Sequence, residues 1–293
     1  PAMRHTASRV SIRPGMEMWR SVMSESSSMS ATPAIAVSGV SREFHRPRTS
    51  LRERGPVVRA VQDVSVDIAP GERFGIVGES GSGKSTLLRM MCGLDQPTSG
   101  SIDVTGRPIV GQSWRDLRWL RGQLQVVFQD PMSSLNPRMS VGDIIAEPLV
   151  AQRMGDRASR VARVEELLTA VGMPTDVASR YPHQFSGGQR QRISIARALA
   201  PSPAILVADE PVSALDVSVR AQVLNLLDDV VGGFDLTLVF VSHDLSVVRH
   251  VCERVAVMKA GEFVEVAPTE QLFNDPQHPY TRQLLAAIPT LRR

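Results

Sequence analysis

A glycine- and serine-rich stretch, Gly78-Glu79-Ser80-Gly81-Ser82-Gly83-Lys84-Ser85, fits the pattern G-x-x-x-x-G-K-[ST] at every specified position and is followed by Thr86. Glycines let the backbone curl so that successive N–H groups converge on phosphate oxygens, and a helix that begins there adds the positive end of its dipole. Lys84 supplies a mobile charge for β- and γ-phosphates, and Ser85 offers a hydroxyl to Mg²⁺. A Gly/Ser-rich turn that matches by chance is the alternative, but strand-like and helix-like residues flank the stretch in the required order. The pattern therefore predicts phosphate contacts from Gly78, Ser80, Gly81, Gly83, Lys84, Ser85 and Thr86.

Two adjacent carboxylates, Asp209 and Glu210, follow the apolar run Ile205-Leu206-Val207-Ala208. Beside bound phosphates, Asp209 would hold Mg²⁺, directly or through water, and Glu210 would orient or deprotonate an attacking water. Paired acids are also common at solvated strand ends. The pair indicates catalysis only because it follows a phosphate cradle in the same chain.

A third element, Phe185-Ser186-Gly187-Gly188-Gln189-Arg190-Gln191-Arg192, places small residues directly before a predicted helix at 193–199. It is a second candidate helix start for binding an anion. Because one triphosphate seldom needs two such cradles, we expect the second to serve the nucleotide of a neighbouring subunit.

Short apolar runs predict the buried strands that position these residues. Phe74-Gly75-Ile76-Val77, Ile205–Ala208 and Leu238-Val239-Phe240-Val241 suit a parallel sheet covered on both faces. Ligands of such sheets gather at the carboxyl ends of the strands, so the polar residues that follow these runs are expected to converge on the nucleotide. After the cradle, helical spacing is shown by Leu87, Met90, Met91 and Leu94.

Two further regions differ in pattern. Residues 57–68 alternate between apolar and polar types, which predicts half-buried antiparallel strands. Between about Asp130 and Tyr181 the composition shifts to helix formers, and Asp156 is placed to cap a helix. The apolar stripe expected on that helix consists of Val161, Val164, Leu167, Leu168 and Val171.

The 293 residues are 42% hydrophobic, enough for one large core with an insertion. Cys92 and Cys252 resemble neither a disulfide framework nor a metal-ligand cluster, which indicates a reducing, cytosolic setting. No apolar run approaches the length of a membrane span, and no signal peptide is recognisable. Residues 1–33 lack apolar periodicity and are expected to be disordered.

Arginines gather ahead of the phosphate cradle, although the formal net charge is only +3. Such a cluster suggests nucleic-acid binding. However, Glu53 lies among these residues and no aromatic residues interleave with them, so we favour a solvated basic loop. The cluster comprises Arg42, Arg46, Arg48, Arg52, Arg54 and Arg59.

In combination, these motifs make the chain resemble the ATP-binding subunit of an ABC transporter. The resemblance covers most of residues 35–268, and the motifs stand in the order of that family. They are Walker A at Gly78–Ser85, the Q-loop Gln129, the signature motif Ser186–Gln189, Walker B ending at Asp209 with Glu210 after it, the D-loop Ser213–Asp216, and the switch histidine His243.

The resemblance also implies roles for individual residues. Catalytic roles are implied for Glu210, His243, Lys84 and Gln129. Ligation of Mg²⁺ is implied for Ser85, Gln129 and Asp209. ATP contacts are implied for the Walker A residues, for Ser186, Gly187, Gly188 and Gln189, and for Asp216. An aromatic residue upstream of Walker A usually stacks on adenine in this family, and Phe44 is the best candidate.

The carboxy-terminal residues resemble an extension found in the oligopeptide, dipeptide and nickel import branch. This resemblance rests on residues 275–281, Leu284-Leu285 and Ile288-Pro289. Residues 129–138 and 210–216 are similar to the second of that branch's two ATPase subunits. Some relatives carry a cysteine cluster for an iron–sulfur centre near this end. Those cysteines are missing here, so no iron–sulfur cluster is expected.

The implied architecture is an α/β fold with a P-loop NTPase (RecA-like) core, an antiparallel β subdomain and an inserted helical subdomain. The ABC ATPase domain would span 34–268, with the helical subdomain at about 130–181 and the extension at 269–293. The implied ligands are ATP and Mg²⁺. The implied partners are a paralogous ATPase subunit in a heterodimer, two membrane permease subunits and, indirectly, an extracytoplasmic solute-binding protein, with no nucleic acid. The chain would lie at the cytoplasmic face of the cell membrane and power import of peptides or a similar small solute.

A soluble ABC-type ATPase acting on nucleic acid is the main alternative. Repair and chromosome members usually insert coiled coils or zinc modules between Walker A and the signature motif, and translation members usually carry two cassettes. This sequence has none of these features. A P-loop kinase or switch GTPase would leave Ser186–Gln189 unexplained.

Overall fold

The computed structural model describes residues 32–45, 57–130 and 134–287. The disorder expected of residues 1–33 therefore falls almost wholly outside the described residues. Most of the arginine cluster, residues 131–133 of the Q-loop region and the Ile288-Pro289 pair lie outside them as well.

A six-stranded sheet forms the centre of the fold, with strand order β10-β9-β3-β8-β7-β6. Strands β9, β3, β8, β7 and β6 run parallel, and β10 pairs antiparallel with β9 at one edge. The strands are β3 (Arg73–Val77), β6 (Leu124–Val127), β7 (Ile205–Asp209), β8 (Thr237–Ser242), β9 (Arg254–Lys259) and β10 (Glu262–Pro268).

A four-stranded antiparallel sheet, with order β2-β1-β4-β5, accompanies it. Its strands are β1 (Ile35–His45), β2 (Val57–Ile68), β4 (Ser99–Val104) and β5 (Arg107–Pro108). The alternation predicted at residues 57–68 is therefore confirmed as β2, and Val61, Val64 and Ile68 point into the core.

Nine α-helices lie in the described part of the chain. They are α1 (Lys84–Met91), α2 (Leu120–Gln123), α3 (Val141–Gln152), α4 (Arg157–Ala170), α5 (Gly187–Leu199), α6 (Val217–Gly233), α7 (Leu245–Val251), α8 (Thr269–Asn274) and α9 (Pro279–Ala286). Short 3₁₀ turns occur at Asp116–Arg118, Thr175–Ser179 and Pro182–Gln184. None of these described helices has the length and hydropathy that crossing a bilayer requires.

The central sheet is covered on both faces, which explains its continuous apolar strands. On β7, Ile205 and Val207 belong to a core that joins α1 and the four-stranded sheet to one face of the central sheet. Leu206 and Ala208 belong to a second core, which joins the opposite face to the helices α3 to α7. Helices occupy the segment predicted to be a helical subdomain, while the domain boundaries themselves stay a prediction.

The prediction that Leu94 continues the helix after the phosphate loop is wrong, because α1 ends at Met91. Gly93 adopts φ 66°, and the amides of Gly93 and Leu94 donate to the carbonyls of Met90 and Arg89. This is a Schellman ending, in which a left-handed glycine closes the helix. Leu94 is left on the surface, 44% exposed.

The prediction of an apolar stripe on α4 is partly wrong. Asp156 does cap the helix, since its carboxylate accepts from the Ser159 amide at 2.8 Å. Val161, however, is 53% exposed, and the long side chain of Arg163 is buried in its place. The Arg163 guanidinium donates to the Leu199 carbonyl at 3.0 Å and the Ser202 hydroxyl at 2.9 Å, so it ties α4 to the end of α5. Periodicity alone could not predict this arrangement, because an arginine side chain can be buried at such a position only where hydrogen-bond acceptors lie opposite its guanidinium.

Candidate active site

The loop from Gly78 to Ser85 joins β3 to α1 and packs tightly against neighbouring backbone. A Cβ at Gly78 would come within 2.2 Å of the Met258 carbonyl oxygen, and one at Gly83 within 2.2 Å of the Ala60 carbonyl oxygen. Gly83 also has φ 109°, which an L side chain rarely adopts. Only glycine fits at these two positions, so the loop is a cradle of bare backbone.

Lys84 begins α1 inside this cradle and is 5% exposed. Its ammonium donates to the carbonyls of Gly78 at 2.7 Å and Glu79 at 2.8 Å. Burial lowers the pKa of Lys84, and the negative charges of Glu210 and Asp209 oppose that shift. A buried cation between carbonyls and carboxylates suits the charge of a phosphate group.

Asp209 is the last residue of β7 and lies close to the cradle. Burial raises the pKa of its carboxyl, the charge of Glu210 adds to the increase, and Lys84 opposes it. A divalent cation would reverse this balance, because it stabilises the ionised carboxylate.

Glu210 adopts a left-handed backbone conformation with φ 45°. Such a conformation costs a non-glycine residue about 1–2 kcal/mol. Neighbouring groups hold it, since its amide donates to the Val241 carbonyl at 2.9 Å and its carbonyl accepts from the Ser213 hydroxyl at 3.0 Å. The turn points the carboxylate towards the cradle, and strain retained at one residue is typical of functional positions.

The Glu210 carboxylate lies between two side chains from other strands. His243 Nδ1 is 3.0 Å from Glu210 Oε2, and Gln129 Nε2 donates to the same oxygen at 3.4 Å. His243 follows β8 directly, and Gln129 comes two residues after β6. The carboxyl ends of three parallel strands thus bring together residues that are far apart in sequence.

One cleft contains the side chains of Lys84, Glu210, Gln129 and His243, whereas Gly78 and Asp209 are not among the described residues that line it. Among the predicted residues, it is lined by Ser80, Gly81, Gly83, Lys84, Ser85, Thr86, Gln129, Glu210 and His243. Val58, Arg59, Ala60 and Leu284 also line it and were not predicted, and so does Glu79, which lies within the predicted Gly78–Ser85 stretch. The β2 residues carry only a strand pattern, and Leu284 lies in the carboxy-terminal extension, so no local signal could have placed them here.

The signature residues lie elsewhere on the surface. Ser186 caps α5 in a capping box, in which the Ser186 amide donates to Gln189 Oε1 at 3.0 Å and the Gln189 amide donates to Ser186 Oγ at 3.4 Å. Ser186, Gly187 and Gln189 are exposed, whereas a Cβ at Gly188 would come within 2.4 Å of Val219 in the first turn of α6. Asp216, at the start of α6, is also exposed. None of these described residues lines the cleft of its own chain.

Phe44 lies on β1 opposite Val58 and is 40% exposed. It is not among the described residues that line the cleft, and the Arg42 guanidinium covers its ring at 4.6 Å from the centroid. Its role in adenine stacking stays a prediction.

The residues present fit a magnesium nucleotide. Within the described residues, no three His, Cys, Asp or Glu side chains cluster so that they alone could hold a metal ion. A hydroxyl, an amide oxygen and a carboxylate, from Ser85, Gln129 and Asp209, would leave most of the coordination of Mg²⁺ to phosphate oxygens and water, as that ion prefers. The glycine cradle supplies the backbone groups for the phosphates.

Sequence models of two families match the chain. The model described as ABC transporter matches residues 61–213, and the model described as oligopeptide/dipeptide transporter, C-terminal region, matches residues 264–293.

Several curated relatives are similar over most of the chain. A protein of Brucella ovis named a peptide import ATP-binding protein is 47% identical over 262 residues, 89% of this chain and 80% of that protein. One of the same name from Brucella abortus is 54% identical over 239 residues, 81% of this chain and 71% of that protein. A peptide ABC transporter ATP-binding protein of Sinorhizobium fredii is 53% identical over 80% of this chain and 66% of that protein.

Solved structures of one protein are similar in fold. The dimeric post-hydrolysis state of the ATP-binding cassette MJ0796, bound to ADP and Pi, has a TM-score of 0.71 at 30% identity and covers 80% of this chain and 98% of that chain. A second dimeric structure of MJ0796, a bacterial ABC transporter cassette, has a TM-score of 0.70 at 31% identity.

Gly83→Ala is expected to weaken the binding of ATP by at least about tenfold, equivalent to about 1.4 kcal/mol. The added Cβ collides with the Ala60 carbonyl and forces the cradle out of shape. The measurement is calorimetric titration with ATP and Mg²⁺. Gly111→Ala is the matched control, because Gly111 also has a positive φ of 74° but open space around its Cβ. Normal ATP affinity in the Gly83 variant would show that the cradle does not bind phosphate.

Proposed function

This chain belongs to the ABC transporter family, and from that premise we propose that it is the ATP-hydrolysing subunit of a membrane complex that imports peptides. The names of the Brucella and Sinorhizobium relatives support the peptide cargo, and the match at residues 264–293 supports the same branch. The observation that carries the ATPase assignment is the Glu210 carboxylate, held between Gln129 and His243 at the mouth of the phosphate cradle.

In the proposed hydrolysis, water attacks the γ-phosphorus of ATP, the bond from that phosphorus to the β–γ bridging oxygen breaks, and ADP and phosphate form. The carboxylate of Glu210 orients the water and accepts its proton. His243 holds that carboxylate through Nδ1, which carries the hydrogen of their contact when Glu210 is ionised. The Lys84 ammonium and the cradle N–H groups bind phosphate oxygens.

Ser85, Asp209 and Gln129 are the residues that would hold Mg²⁺. When bound, this ion neutralises charge on the β- and γ-phosphate oxygens. Asp209 and Glu210 then have different tasks although they are adjacent, because β7 ends at Asp209 and the left-handed turn at Glu210 redirects the second side chain.

The exposed signature motif supports a site shared between two subunits. Ser186, Gly187 and Gln189 face solvent and do not line the cleft of their own chain. A head-to-tail pair would present them to the phosphate cradle of the other subunit. MJ0796 is dimeric in its ADP- and Pi-bound structure, which supports such a pair. We propose a paralogous ATPase as the partner.

A groove beside the Q-loop is the proposed docking surface for a permease subunit. Three exposed apolar side chains, Leu94, Trp114 and Phe128, are 44%, 64% and 40% exposed and line it together with residues of α2 and α3. Phe128 lines this groove, and its neighbour Gln129 lines the nucleotide cleft. A cytoplasmic loop of a permease seated in the groove would therefore be linked to the nucleotide through adjacent residues.

This docking would hold the chain at the cytoplasmic face of the membrane, and an extracytoplasmic binding protein would deliver the peptide to the permeases. The nucleic-acid alternative gains no support from the relatives. Two members of the arginine cluster also have acidic partners, since Arg42 pairs with Asp95 at 2.8 Å and Arg59 with Glu43 at 3.1 Å.

Glu210→Gln is expected to lower the turnover of ATP by on the order of 10²-fold or more, because an amide cannot accept the proton of the attacking water. ATP affinity should stay within about twofold, because the phosphate-binding groups are unchanged. Lys84→Ala is the contrasting variant and should weaken ATP binding. The measurements are steady-state phosphate release and equilibrium ATP titration, and near-normal turnover by the Glu210 variant would contradict its role.

Leu94→Glu is expected to abolish co-purification with permease subunits from detergent-solubilised membranes, because a charge would be buried in the apolar groove. ATP binding should be unchanged. The matched control is Val161→Glu, at a similarly exposed apolar residue on α4 outside the groove. Equal recovery of permeases by wild type and the Leu94 variant would exclude this groove as the docking surface.

A further inference from the structure

The carboxy-terminal helix α9 contacts the phosphate cradle directly. Tyr280, in its first turn, is only 4% exposed, and its hydroxyl accepts a hydrogen bond from the Glu79 amide at 3.3 Å. The Lys259 ammonium lies over the Tyr280 ring, 4.6 Å from its centroid. One turn later, Leu284 lines the nucleotide cleft. A segment about 200 residues further along the chain thus forms part of this site.

The peptide bond between Gly78 and Glu79 is held on both sides. Its N–H group donates to Tyr280, and its C=O group, on Gly78, accepts from the Lys84 ammonium at 2.7 Å. In a trans peptide these two groups point in opposite directions, so fixing one fixes the other. A peptide whose N–H group donates a hydrogen bond is more strongly polarised, so its carbonyl oxygen becomes a better acceptor. The hydrogen bond to Tyr280 therefore strengthens the contact of the Gly78 carbonyl with Lys84.

The segment that carries Tyr280 is anchored to the edge strand β10. The Glu265 carboxylate accepts from the amides of Gln277 at 2.8 Å and His278 at 3.0 Å. Partial burial alone would raise the pKa of Glu265, but its hydrogen bonds outweigh that effect and hold the pKa below its ordinary value. His278 then caps α9, since its Nδ1 accepts from the Tyr280 amide at 3.1 Å. Tyr280 therefore has a defined position.

We propose that Tyr280 is a positioning residue of the ATP site, which orients the Gly78–Glu79 peptide and, through it, places Lys84 for the phosphates. The inference rests on the proposed ATPase function and extends the site to the carboxy-terminal extension. Tyr280 touches no reacting atom. Its effect passes through one peptide plane, so it acts on phosphate binding and leaves the proton transfer at Glu210 unchanged.

Tyr280→Phe tests this role, because it removes the hydroxyl and keeps the ring beside Lys259. We expect a roughly threefold to tenfold increase in the Kd for ATP with Mg²⁺, and a similar increase in KM, the size typical of one lost hydrogen bond. The kcat of the assembled complex should stay within about twofold, and the unfolding temperature of the full chain should fall by no more than about 4 °C, the shift that roughly 1 kcal/mol produces in a large domain. Tyr181→Phe is the matched control, at the only other tyrosine of the chain.

Glu265→Gln provides a second test, because the Glu265 carboxylate holds the segment that carries Tyr280 and does not itself line the nucleotide cleft. It should raise the Kd for ATP in the same direction, and the double variant should bind ATP no more weakly than Tyr280→Phe alone. Fully additive effects would contradict the proposed pathway.

Three results would overturn the inference. They are an unchanged Kd and KM in Tyr280→Phe, a fall in kcat with KM unchanged, and weaker binding together with an unfolding temperature lowered by more than about 4 °C, which would identify a contact that mainly stabilises the fold. Failure of the proposed function looks different, because the wild-type chain itself would then not bind ATP.

Discussion

The close approach of the phosphate loop to two backbone carbonyls is the contact on which the rest of the structure depends. Gly78 lies against Met258 at the end of β9, and Gly83 lies against Ala60 on β2, with no room at either position for a Cβ. The loop is thereby held between the central sheet and the antiparallel sheet. A bare backbone binds phosphate well only when it is already in shape, because ordering it at the moment of binding would cost conformational entropy.

Electrostatics explain why the other groups gather around this loop. The buried Lys84 ammonium loses hydration, and the carboxylates of Asp209 and Glu210 compensate for part of that loss. Burial raises the pKa of Asp209, and repulsion from the Glu210 carboxylate adds to the increase. A magnesium nucleotide would balance both effects, since its phosphates pair with Lys84 and its cation pairs with Asp209. The parallel strands β3, β7 and β8 make this grouping possible, because their carboxyl ends meet at one edge.

The sequence was sufficient to predict the core of the fold and the residues that local motifs mark. Lys84 and Glu210 were identified from short patterns, and Gln129 and His243 from the resemblance to ABC transporter subunits. The structure brings all four into one cleft. Local patterns failed where an element ends or where a polar residue finds buried partners, as at Leu94 and Arg163.

Contacts between segments that are distant in the sequence could not be predicted from it either. Tyr280 and Leu284 reach the cradle only because Glu265 anchors their segment, and nothing in the residues near Gly78 indicates that contact. The assignment of Phe44 as the adenine-stacking residue depends on the register of β1 relative to the family pattern. The arginine-rich segment after β1 obscures that register in the sequence. Such features follow from tertiary packing and not from periodicity.

We propose that the catalytic site is complete only when two subunits meet, because Ser186–Gln189 do not line the cleft of their own chain. The most direct test measures the specific ATPase activity against protein concentration, for the chain alone and for the complex with its partner ATPase and permeases. We expect the activity of the isolated chain to fall on dilution, whereas the complex should keep a constant activity because it holds both ATPases together. A bulky charged residue at Ser186 should abolish the gain. Full turnover that is independent of concentration in a verified monomer would contradict the proposal.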